Sequence, residues 1–263
     1  MAAAAHANVM PVLYASADSN SDYFVMPWMV GQTLASAHRE RLHRRQRKTG
    51  EVHTDPGSLW AFHEIADLLD GIASATRHMQ RLDPPIAHRD ITPSNIYLAE
   101  RASGEPGTQP MLLDFSIAWQ RDSGPAIRAG TAGFCSPQQA AGSIPHASDD
   151  TWAIAAVAYY LLTNRRPGTR WVVSALSEAD GTVRWDTQMQ CYLAVTNVDD
   201  PRSLVPSLPE SVALLVMAAL AEAPAVRPPV ALLVDQLRQS GGQPGSLVGR
   251  PFLAFEAEGF RFT

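Results

Sequence analysis

The sequence is poor in cysteine, has no long hydrophobic run and carries little excess charge. Its two cysteines, Cys135 and Cys191, lie far apart and form no CxxC pair, so neither a disulfide framework nor a zinc site is indicated. No apolar run reaches the roughly 18 residues of a membrane span, and a net charge of −5 gives no reason to expect nucleic acid as a partner. The alanine-rich start lacks the basic region and apolar core of a signal peptide. These absences predict a cytoplasmic protein without a membrane span.

The apolar residues that are present follow helical periods in several segments. From Leu59 to Met79 they recur every three or four positions, which predicts a helix buried on one side. Proline lacks the amide that a continuing helix would need, so this helix is expected to end before Pro84. Similar patterns predict helices at 210–220 and 230–237, and a flexible linker follows from residue 240.

Two pairs of short apolar runs predict two β-hairpins. The runs 9–14 and 23–26 are separated by a polar turn cluster at 15–22, and the runs 96–98 and 111–113 are separated by a loop with glycine and proline. A two-stranded hairpin cannot bury both of its faces alone. The first hairpin is therefore expected to need a further surface.

A basic run extends from residue 37 to residue 48. Arginine-rich runs of this density can bind phosphate-rich or acidic partners. On an acidic protein, however, a solvated helix end or an inserted loop is the favoured interpretation.

Two stretches combine the residue types that phosphoryl transfer requires. HRDITPSN at 88–95 and LLDFS at 112–116 contain Asp90, Asn95 and Asp114. One carboxylate can lie beside an acceptor hydroxyl, while a second carboxylate and an amide oxygen can hold the magnesium ions that bind the phosphates. Taken singly, the first stretch would suit a solvated turn and Asp114 a strand-end cap. Together, at this spacing, they resemble the H-R-D-x-x-x-x-N and D-F-G motifs of the protein kinase family.

The resemblance is to bacterial-type Ser/Thr protein kinases, and it implies ATP and Mg²⁺ as cofactors. Asp90 corresponds to the catalytic base or orienting group, and Asn95 and Asp114 correspond to the metal ligands. Arg89 is implied to meet a phosphate on the activation segment. The implied acceptor is a serine or threonine hydroxyl of a protein.

Three later motifs occur in the order of the family. GTAGFCSPQQ at 130–139 resembles the substrate loop G-T-x-x-Y-x-x-P-E-Q, in which Thr131 would contact the catalytic aspartate. Asp150 would both cap a buried helix and hold the catalytic-loop backbone. Arg227, in a segment that resembles A-L-A-x-x-P-x-x-R-P, would be the partner of Gln138. A neutral hydrogen bond would replace the ion pair of the family there.

The segment after the first hairpin resembles the kinase hinge. Met26 falls at the gatekeeper position, Met29 at the residue whose backbone amide meets adenine, and Thr33 at the ribose contact. Tyr97, two residues past Asn95, falls where the family places an apolar floor under the adenine. These positions are implied to bind the nucleotide.

The resemblance also implies an α+β, mainly α, fold with three parts. Residues 1–30 would form a remnant of the kinase small lobe and the hinge, and residues 31–239 the large lobe. Residues 240–263 would be a linker followed by an apolar, phenylalanine-rich tail.

Features that hold the ATP phosphates in kinases are missing from this chain. No G-x-G-x-x-G loop and no V-A-I-K segment occur in its 263 residues. Thr92 stands where Ser/Thr kinases carry a lysine, and Ser116 replaces the last glycine of D-F-G. We therefore expect a kinase domain truncated at its N-terminal lobe.

Three functions stay open at this point. The chain is a protein kinase that acts on a protein substrate, or a pseudokinase-like module that binds a regulatory protein. In the first case the missing small lobe would lie upstream of Met1 or on another chain. A small-molecule phosphotransferase of the aminoglycoside or choline kinase type ranks last, because it does not explain the 130–139 motif, Asp150 or Arg227.

Overall fold

Short strands alternate with longer helices in this computed structural model. It describes residues 5–18, 21–49, 59–101, 107–120, 129–168 and 198–241. The elements in chain order are β1 (Tyr14–Asp18), β2 (Ser21–Val25), β3 (Gly31–Thr33), α1 (Leu34–Thr49), α2 (Phe62–Gln80), β4 (Ile86–Ala87), β5 (Ile96–Glu100), β6 (Thr108–Leu112), β7 (Trp119–Gln120), α3 (Pro137–Ala141), α4 (Ala147–Thr163), α5 (Pro201–Leu204), α6 (Glu210–Ala219) and α7 (Val230–Gly241).

Helix α2 joins most parts of the core. Its residues Ile65, Leu69 and Ile72 are each at most 1 % exposed and lie on the side that packs against α4 and α7. The predicted stop before Pro84 is confirmed, since α2 ends at Gln80. It begins three residues later than predicted, because the Glu64 carboxylate accepts the backbone N–H of Ala61 and fixes the first turn there.

Helix α4 is apolar on all sides from Trp152 to Leu162 and is buried accordingly. Trp152 and Tyr159 are among its largest buried side chains. Helices α6 and α7 confirm the two predicted C-terminal helices. Helix α7 continues to Gly241, so the predicted linker begins too early at residue 240, and residues 242–263 lie outside the described residues.

Three antiparallel sheets form among the described residues. Strand β5 lies between β3 and β6, with Tyr97 opposite both Thr33 and Met111. Strand β4 pairs with β7, and β1 pairs with β2. The β5–β6 pair confirms the predicted hairpin before Asp114, and it places residue 95 beside residue 113 at its open end.

The first predicted hairpin is present, but its first strand was wrongly located. Strand β1 covers 14–18, most of which was predicted as turn, and residues 9–13 of the predicted run are not part of it. Instead, Met10 donates its backbone N–H to the Leu112 carbonyl over 2.9 Å, beside a bridge between Val9 and Leu112. Because Val9 and Met10 are buried, this segment packs beside Leu112 and does not pair with β2. The residues that pair with β2 are Tyr14–Asp18, which follow this segment.

The basic run belongs to α1, which agrees with a solvated helix. Leu34, Ala37 and His38 face the core, whereas Arg39 and Arg47 are exposed. The helix begins after Thr33, whose hydroxyl oxygen accepts the backbone N–H of Ser36 over 3.3 Å.

Candidate active site

Asp150 holds the loop at residues 88–95 in place. One oxygen of its carboxylate accepts the backbone N–H of His88 and the other accepts that of Arg89, each over 3.0 Å. Arg89 has a φ of 69°, which is rarely adopted by residues other than glycine and persists only where neighbours enforce it. Burial raises the pKa of Asp150 to about 6, although both backbone donors favour the carboxylate.

Asp150 does not cap α4 as predicted. His146 is the capping residue, and its backbone N–H is accepted by the Asp149 carboxylate over 2.9 Å. Asp149 also accepts the hydroxyl of Ser136, the cap of α3. One position further along α4, Asp150 reaches the loop instead. The two adjacent aspartates therefore divide the two tasks that the sequence assigned to one.

His88 is a buried, neutral part of this loop. Its Nδ1 accepts the backbone N–H of Asp90 over 3.3 Å, and its Nε2 lies 3.0 Å from the Leu113 carbonyl, to which it donates. Both ring nitrogens are therefore used by one neutral tautomer. Burial lowers the pKa of His88 to about 4. The ring also packs against Phe115, at a centroid distance of 4.7 Å.

Asp90 is oriented from both sides of its carboxylate. Thr131 donates its hydroxyl to Oδ1 and Asn95 donates its amide Nδ2 to Oδ2, each over 2.8 Å. Burial raises the pKa of Asp90, while these two hydrogen bonds oppose the rise and the nearby charge of Asp114 adds to it. The arrangement fixes the carboxylate and makes it a stronger base than an exposed aspartate.

Asn95 and Asp114 supply oxygen atoms suited to magnesium. The Asn95 amide nitrogen makes two bonds to Asp90, to Oδ2 and to the carbonyl, which turns its Oδ1 away from them. Asp114 uses Oδ1 to accept the Ser116 N–H over 3.0 Å. The Leu113 N–H bonds the Asn95 carbonyl over 2.8 Å and keeps the two segments together. An amide oxygen and a carboxylate are hard ligands, so the donor set fits Mg²⁺.

Arg89 is 3 % exposed, and its guanidinium donates to the Ile117 carbonyl over 3.3 Å. Gln139, which sequence reasoning did not single out, fixes the backbone at this point. Its Nε2 donates to the carbonyls of Arg89 and Ala129, each over 2.7 Å. The sequence signal for this role is a glutamine inside the 130–139 motif. It did not identify the two carbonyl partners, because they lie outside the motif. Residues 121–128, between these segments, lie outside the described part.

Gln138 and Arg227 form the expected hydrogen bond, in which a charged guanidinium group donates to a neutral amide oxygen. The Arg227 guanidinium donates to Gln138 Oε1 over 2.6 Å and to the Ser148 carbonyl over 2.8 Å. Gln138 in turn donates to the Glu222 carbonyl over 2.7 Å. Burial lowers the pKa of Arg227, and the charge of Asp149 opposes this. The end of the 130–139 segment is thus tied to the segment between α6 and α7.

The hinge segment is joined to β5 and to the catalytic loop. The Tyr97 hydroxyl donates to the Met29 carbonyl over 2.9 Å. Ala35, at the start of α1, donates its N–H to the Pro93 carbonyl over 2.8 Å. Met26, directly after β2, is 42 % exposed. At the position of the implied adenine floor, Tyr97 therefore makes a hydrogen bond that an apolar residue could not make.

A groove of about 1390 Å³ contains none of the predicted site residues. It is lined by α1, α2, β3, β6 and α7, with Trp60 and Pro110 among its apolar residues. Two arginines of the lining pair with carboxylates of the same lining, since Arg41 binds Glu64 over 2.8 Å and Arg238 binds Asp67 over 3.0 Å.

The helical lobe, the short sheets and the carboxylate cluster define an α+β, mainly α, protein-kinase-like fold. A family model with the description "Protein kinase domain" matches residues 1–236. The chain therefore belongs to the protein kinase family. Among the described residues, no helix is both long and apolar enough to cross a bilayer.

Similar curated proteins include bacterial Ser/Thr kinases. The serine/threonine-protein kinase PkaB of Streptomyces coelicolor is 32 % identical over 168 residues, which cover 62 % of this chain and 36 % of the relative. The DNA damage-responsive serine/threonine-protein kinase RqkA of Deinococcus radiodurans is 25 % identical over 231 residues, 85 % of this chain and 29 % of the relative. PknA of a Nostoc species is 27 % identical over 168 residues, 60 % of this chain and 26 % of that kinase. The matches therefore span about a third of the relatives' length or less. The kinase domain is of the bacterial Ser/Thr type.

Proposed function

We propose that this kinase domain transfers the γ-phosphoryl group of ATP to serine or threonine hydroxyls of proteins. The observation that carries the proposal is the two-sided orientation of Asp90 by Thr131 and Asn95, each over 2.8 Å. A base that is fixed in this way can accept a hydrogen bond from an incoming hydroxyl without first reorganising. The kinase relatives support the same acceptor class.

In this proposal the ionised Asp90 accepts the proton of the substrate hydroxyl. Thr131 lies next to the acceptor, because its own hydroxyl already contacts Asp90. Asp150 keeps the backbone of the catalytic loop in register through its two bonds. Positioning of this kind is most of what a protein contributes to phosphoryl transfer.

Asn95 and Asp114 would hold the magnesium ions, through the Asn95 amide oxygen and the Asp114 carboxylate. Bound Mg²⁺ supplies positive charge that neutralises the phosphates. Met29 and Thr33 would contact the adenine and the ribose, with Tyr97 below the base and Met26 at the gatekeeper position. The bond from Tyr97 to the Met29 carbonyl supports this assignment, because it links two of these positions directly.

The proposal is tested by radiolabelled phosphate transfer from ATP with magnesium to a serine- and threonine-containing peptide library. Asp90→Asn is expected to abolish the transfer, whereas Asp235→Asn, an exposed aspartate on α7, keeps it. Phosphoamino acid analysis identifies the acceptor. Equal transfer by Asp90→Asn and the native chain would refute the role of Asp90, and no transfer at all would refute the enzymatic function of this chain.

A protein-binding module is the second candidate, and the exposed hairpin favours it. Tyr14, Phe24 and Trp28 are 56 %, 64 % and 96 % exposed, and β1 and β2 pair only with each other among the described residues. Exposed apolar side chains on a sheet with open edges are typical of a surface that another chain covers. Such a chain could supply further strands and a phosphate-binding loop.

Nucleotide-dependent thermal shift separates the two candidates. A kinase domain of this chain gains stability from ATP with Mg²⁺ because the ligand binds the folded state. A module that only binds protein gains none. In the second case the exposed hairpin is expected to make the isolated chain self-associate. Phe24→Ser is then expected to reduce this self-association in sedimentation, while Leu232→Ser on the exposed side of α7 does not change it.

A further inference from the structure

The segment before β1 is held on α2 through His6. The His6 Nδ1 accepts the backbone N–H of Asn8 over 3.1 Å, and the His6 carbonyl accepts that of Val9 over 3.0 Å. The other ring nitrogen, Nε2, lies 3.3 Å from the Ser74 hydroxyl on α2. Because Nδ1 accepts a hydrogen bond, the neutral ring carries its proton on Nε2 and donates it to Ser74. His6 therefore uses one nitrogen within the segment and the other across to α2.

The turn that His6 closes leads directly into the contact with β6. The backbone carbonyl of Asn8 accepts the Leu112 N–H over 2.8 Å, and the Met10 N–H is donated to the Leu112 carbonyl over 2.9 Å. The Asn8 side chain donates to the Pro110 carbonyl over 2.7 Å. His6 thus orients a segment that is bonded to the last part of β6.

Two basic residues of α2 act on the His6 ring. The His78 ring stacks on it at a centroid distance of 5.2 Å, with the ring planes inclined by 29°. Burial, followed by the charges of His78 and Arg77, lowers the pKa of His6 from its ordinary value of 6.5. The residues of β6 that bond the segment are all uncharged: Gln109, Pro110 and Leu112.

The carboxylate of Asp70 is the acidic group of α2 nearest to this pair along the chain, and it is already engaged. Asp70 lies 3.9 Å from Arg77 and 3.1 Å from Arg238. Over the ranges that the structure describes, neither His6 nor His78 has a carboxylate within ion-pair distance. A positive charge on the His6 ring would therefore meet other positive charges on α2.

We propose that His6 is a proton-operated latch, which holds residues 6–10 on α2 and β6 while its ring is neutral and releases them when the ring is protonated. The added proton would occupy Nδ1, the atom that accepts the Asn8 N–H, so that two donors would face each other. The positive ring would also lie beside Arg77 and against His78. The inference is independent of the proposed function, because no step of it involves phosphoryl transfer.

The direction of the pH dependence follows from the lowered pKa. His6 binds a proton less readily in the docked segment than in the released one. Docking is therefore strongest above pH 6.5 and weakens as the pH falls below this value.

Amide hydrogen exchange of the native chain tests the latch. Protection factors, which correct for the chemical pH dependence of exchange, are measured about one pH unit above and about one below pH 6.5. The Met10 N–H reports docking, and the Leu220 N–H, which bonds the Val216 carbonyl over 3.0 Å at the end of α6, reports the rest of the domain. The ratio of Met10 to Leu220 protection is expected to fall at least about twofold at the lower pH.

Substitutions at residue 6 separate protonation from the turn. His6→Asn keeps a side-chain oxygen that can accept the N–H two residues further on, but it has no titrating group. It is expected to keep the protection of Met10 and to lose the pH response. His6→Ala lacks the acceptor and is expected to lower this protection at both pH values. His43→Asn removes an exposed histidine from α1 and is the matched control, which keeps the native response.

An NMR titration of the His6 ring protons gives an independent measurement. The pKa of His6 is expected to lie below 6.5 in the native chain and to rise in His78→Asn, because a neighbouring charge is then removed. Each of four outcomes would overturn the inference: a pKa of His6 at or above 6.5, an equal protection ratio at both pH values, a pH response that persists in His6→Asn, or one that is lost in His43→Asn.

Discussion

The Asp150 carboxylate accepts the backbone N–H of His88, a residue 62 positions earlier in the chain, over 3.0 Å. Both side chains are fully buried, and burial shifts their pKa values in opposite directions from their ordinary values. The pKa of Asp150 rises to about 6, and that of His88 falls to about 4. The native state therefore favours the neutral form of each group.

Opposite pH dependences follow from these two shifts. The contribution of Asp150 to stability is fully present below pH 3.8 and is lost as the pH rises to about 6. The contribution of His88 is present above pH 6.5 and is lost as the pH falls to about 4. Between these limits the two contributions offset each other in the native protein.

Single substitutions are expected to expose each contribution. Asp150→Asn leaves the His88 response, so the free energy of unfolding rises from pH 4 to pH 6.5 by on the order of 2–3 kcal/mol more than in the native chain. His88→Gln leaves the Asp150 response, and the free energy falls over the same interval. Urea unfolding at several pH values measures both slopes. Slopes equal to that of the native chain would contradict the assignment.

Arg227 is expected to contribute more to stability than any exposed arginine pair. Arg227→Gln removes donors from the Ser148 and Ala221 carbonyls and from Gln138, which leaves partly buried acceptors without this partner. A loss of about 2–4 kcal/mol is expected in urea unfolding. Arg202→Gln is the control.

The control breaks only the exposed pair with Glu210, in which the charged atoms lie 3.5 Å apart. It is expected to change the free energy of unfolding by less than about 1 kcal/mol. Similar losses in both variants would show that the buried hydrogen bonds of Arg227 add little.

The sequence predicted most of the features that depend on local pattern or motif order. The periodicity of α2 and the hairpin of β5 and β6 needed only nearby residues. The contact from Asp150 to the loop and that from Arg227 to Gln138 followed from the family resemblance. The position of each residue within a family motif therefore predicted contacts between residues far apart in the sequence.

Features that depend on contacts between distant parts of the chain were not predicted from the sequence. The shift of the first strand to 14–18 depends on Val9 and Met10 finding buried partners beside Leu112, which no local pattern indicates. The choice of His146 over Asp150 as the helix cap depends on which carboxylate the catalytic loop uses. In both cases the same residues could take either of two local arrangements, and contacts with distant parts of the chain decide between them.

Gly71 is expected to be required for docking of the N-terminal segment on α2. A Cβ at this position would lie 2.7 Å from Cγ of Pro110 and 2.9 Å from Nδ2 of Asn8, which donates to the Pro110 carbonyl. Gly71→Ala gains about 1 kcal/mol of helix propensity, but displacing these groups costs roughly 1–3 kcal/mol. A small net loss of stability is expected.

Amide hydrogen exchange locates the effect of Gly71→Ala. Faster exchange of the Met10 N–H, which bonds the Leu112 carbonyl, is expected if the segment loosens. Gly241→Ala is the matched control, because its Cβ would meet nothing closer than 3.4 Å. Unchanged protection of Met10 in Gly71→Ala would show that the segment adapts without loosening.

Thr131 is expected to affect catalysis through the orientation and the pKa of Asp90. Thr131→Val keeps the shape of the side chain but removes the hydroxyl that donates to Asp90 Oδ1 over 2.8 Å. A hydrogen bond to a charged group contributes about 1.5–3 kcal/mol. If it is fully used in the transition state, kcat falls about ten- to a hundredfold. KM for ATP is expected to stay unchanged, because the proposed function places Thr131 on the acceptor side.

The pH–rate profile distinguishes this role from a structural one. The Thr131 hydrogen bond lowers the pKa of Asp90 against the effect of burial. Without it the pKa rises further, so the acidic limb of the profile moves to higher pH in Thr131→Val. Thr131→Ser keeps the donor and is expected to retain both the rate and the native profile. A reduced rate with an unshifted acidic limb in Thr131→Val would show that the hydroxyl does not act through the Asp90 carboxylate.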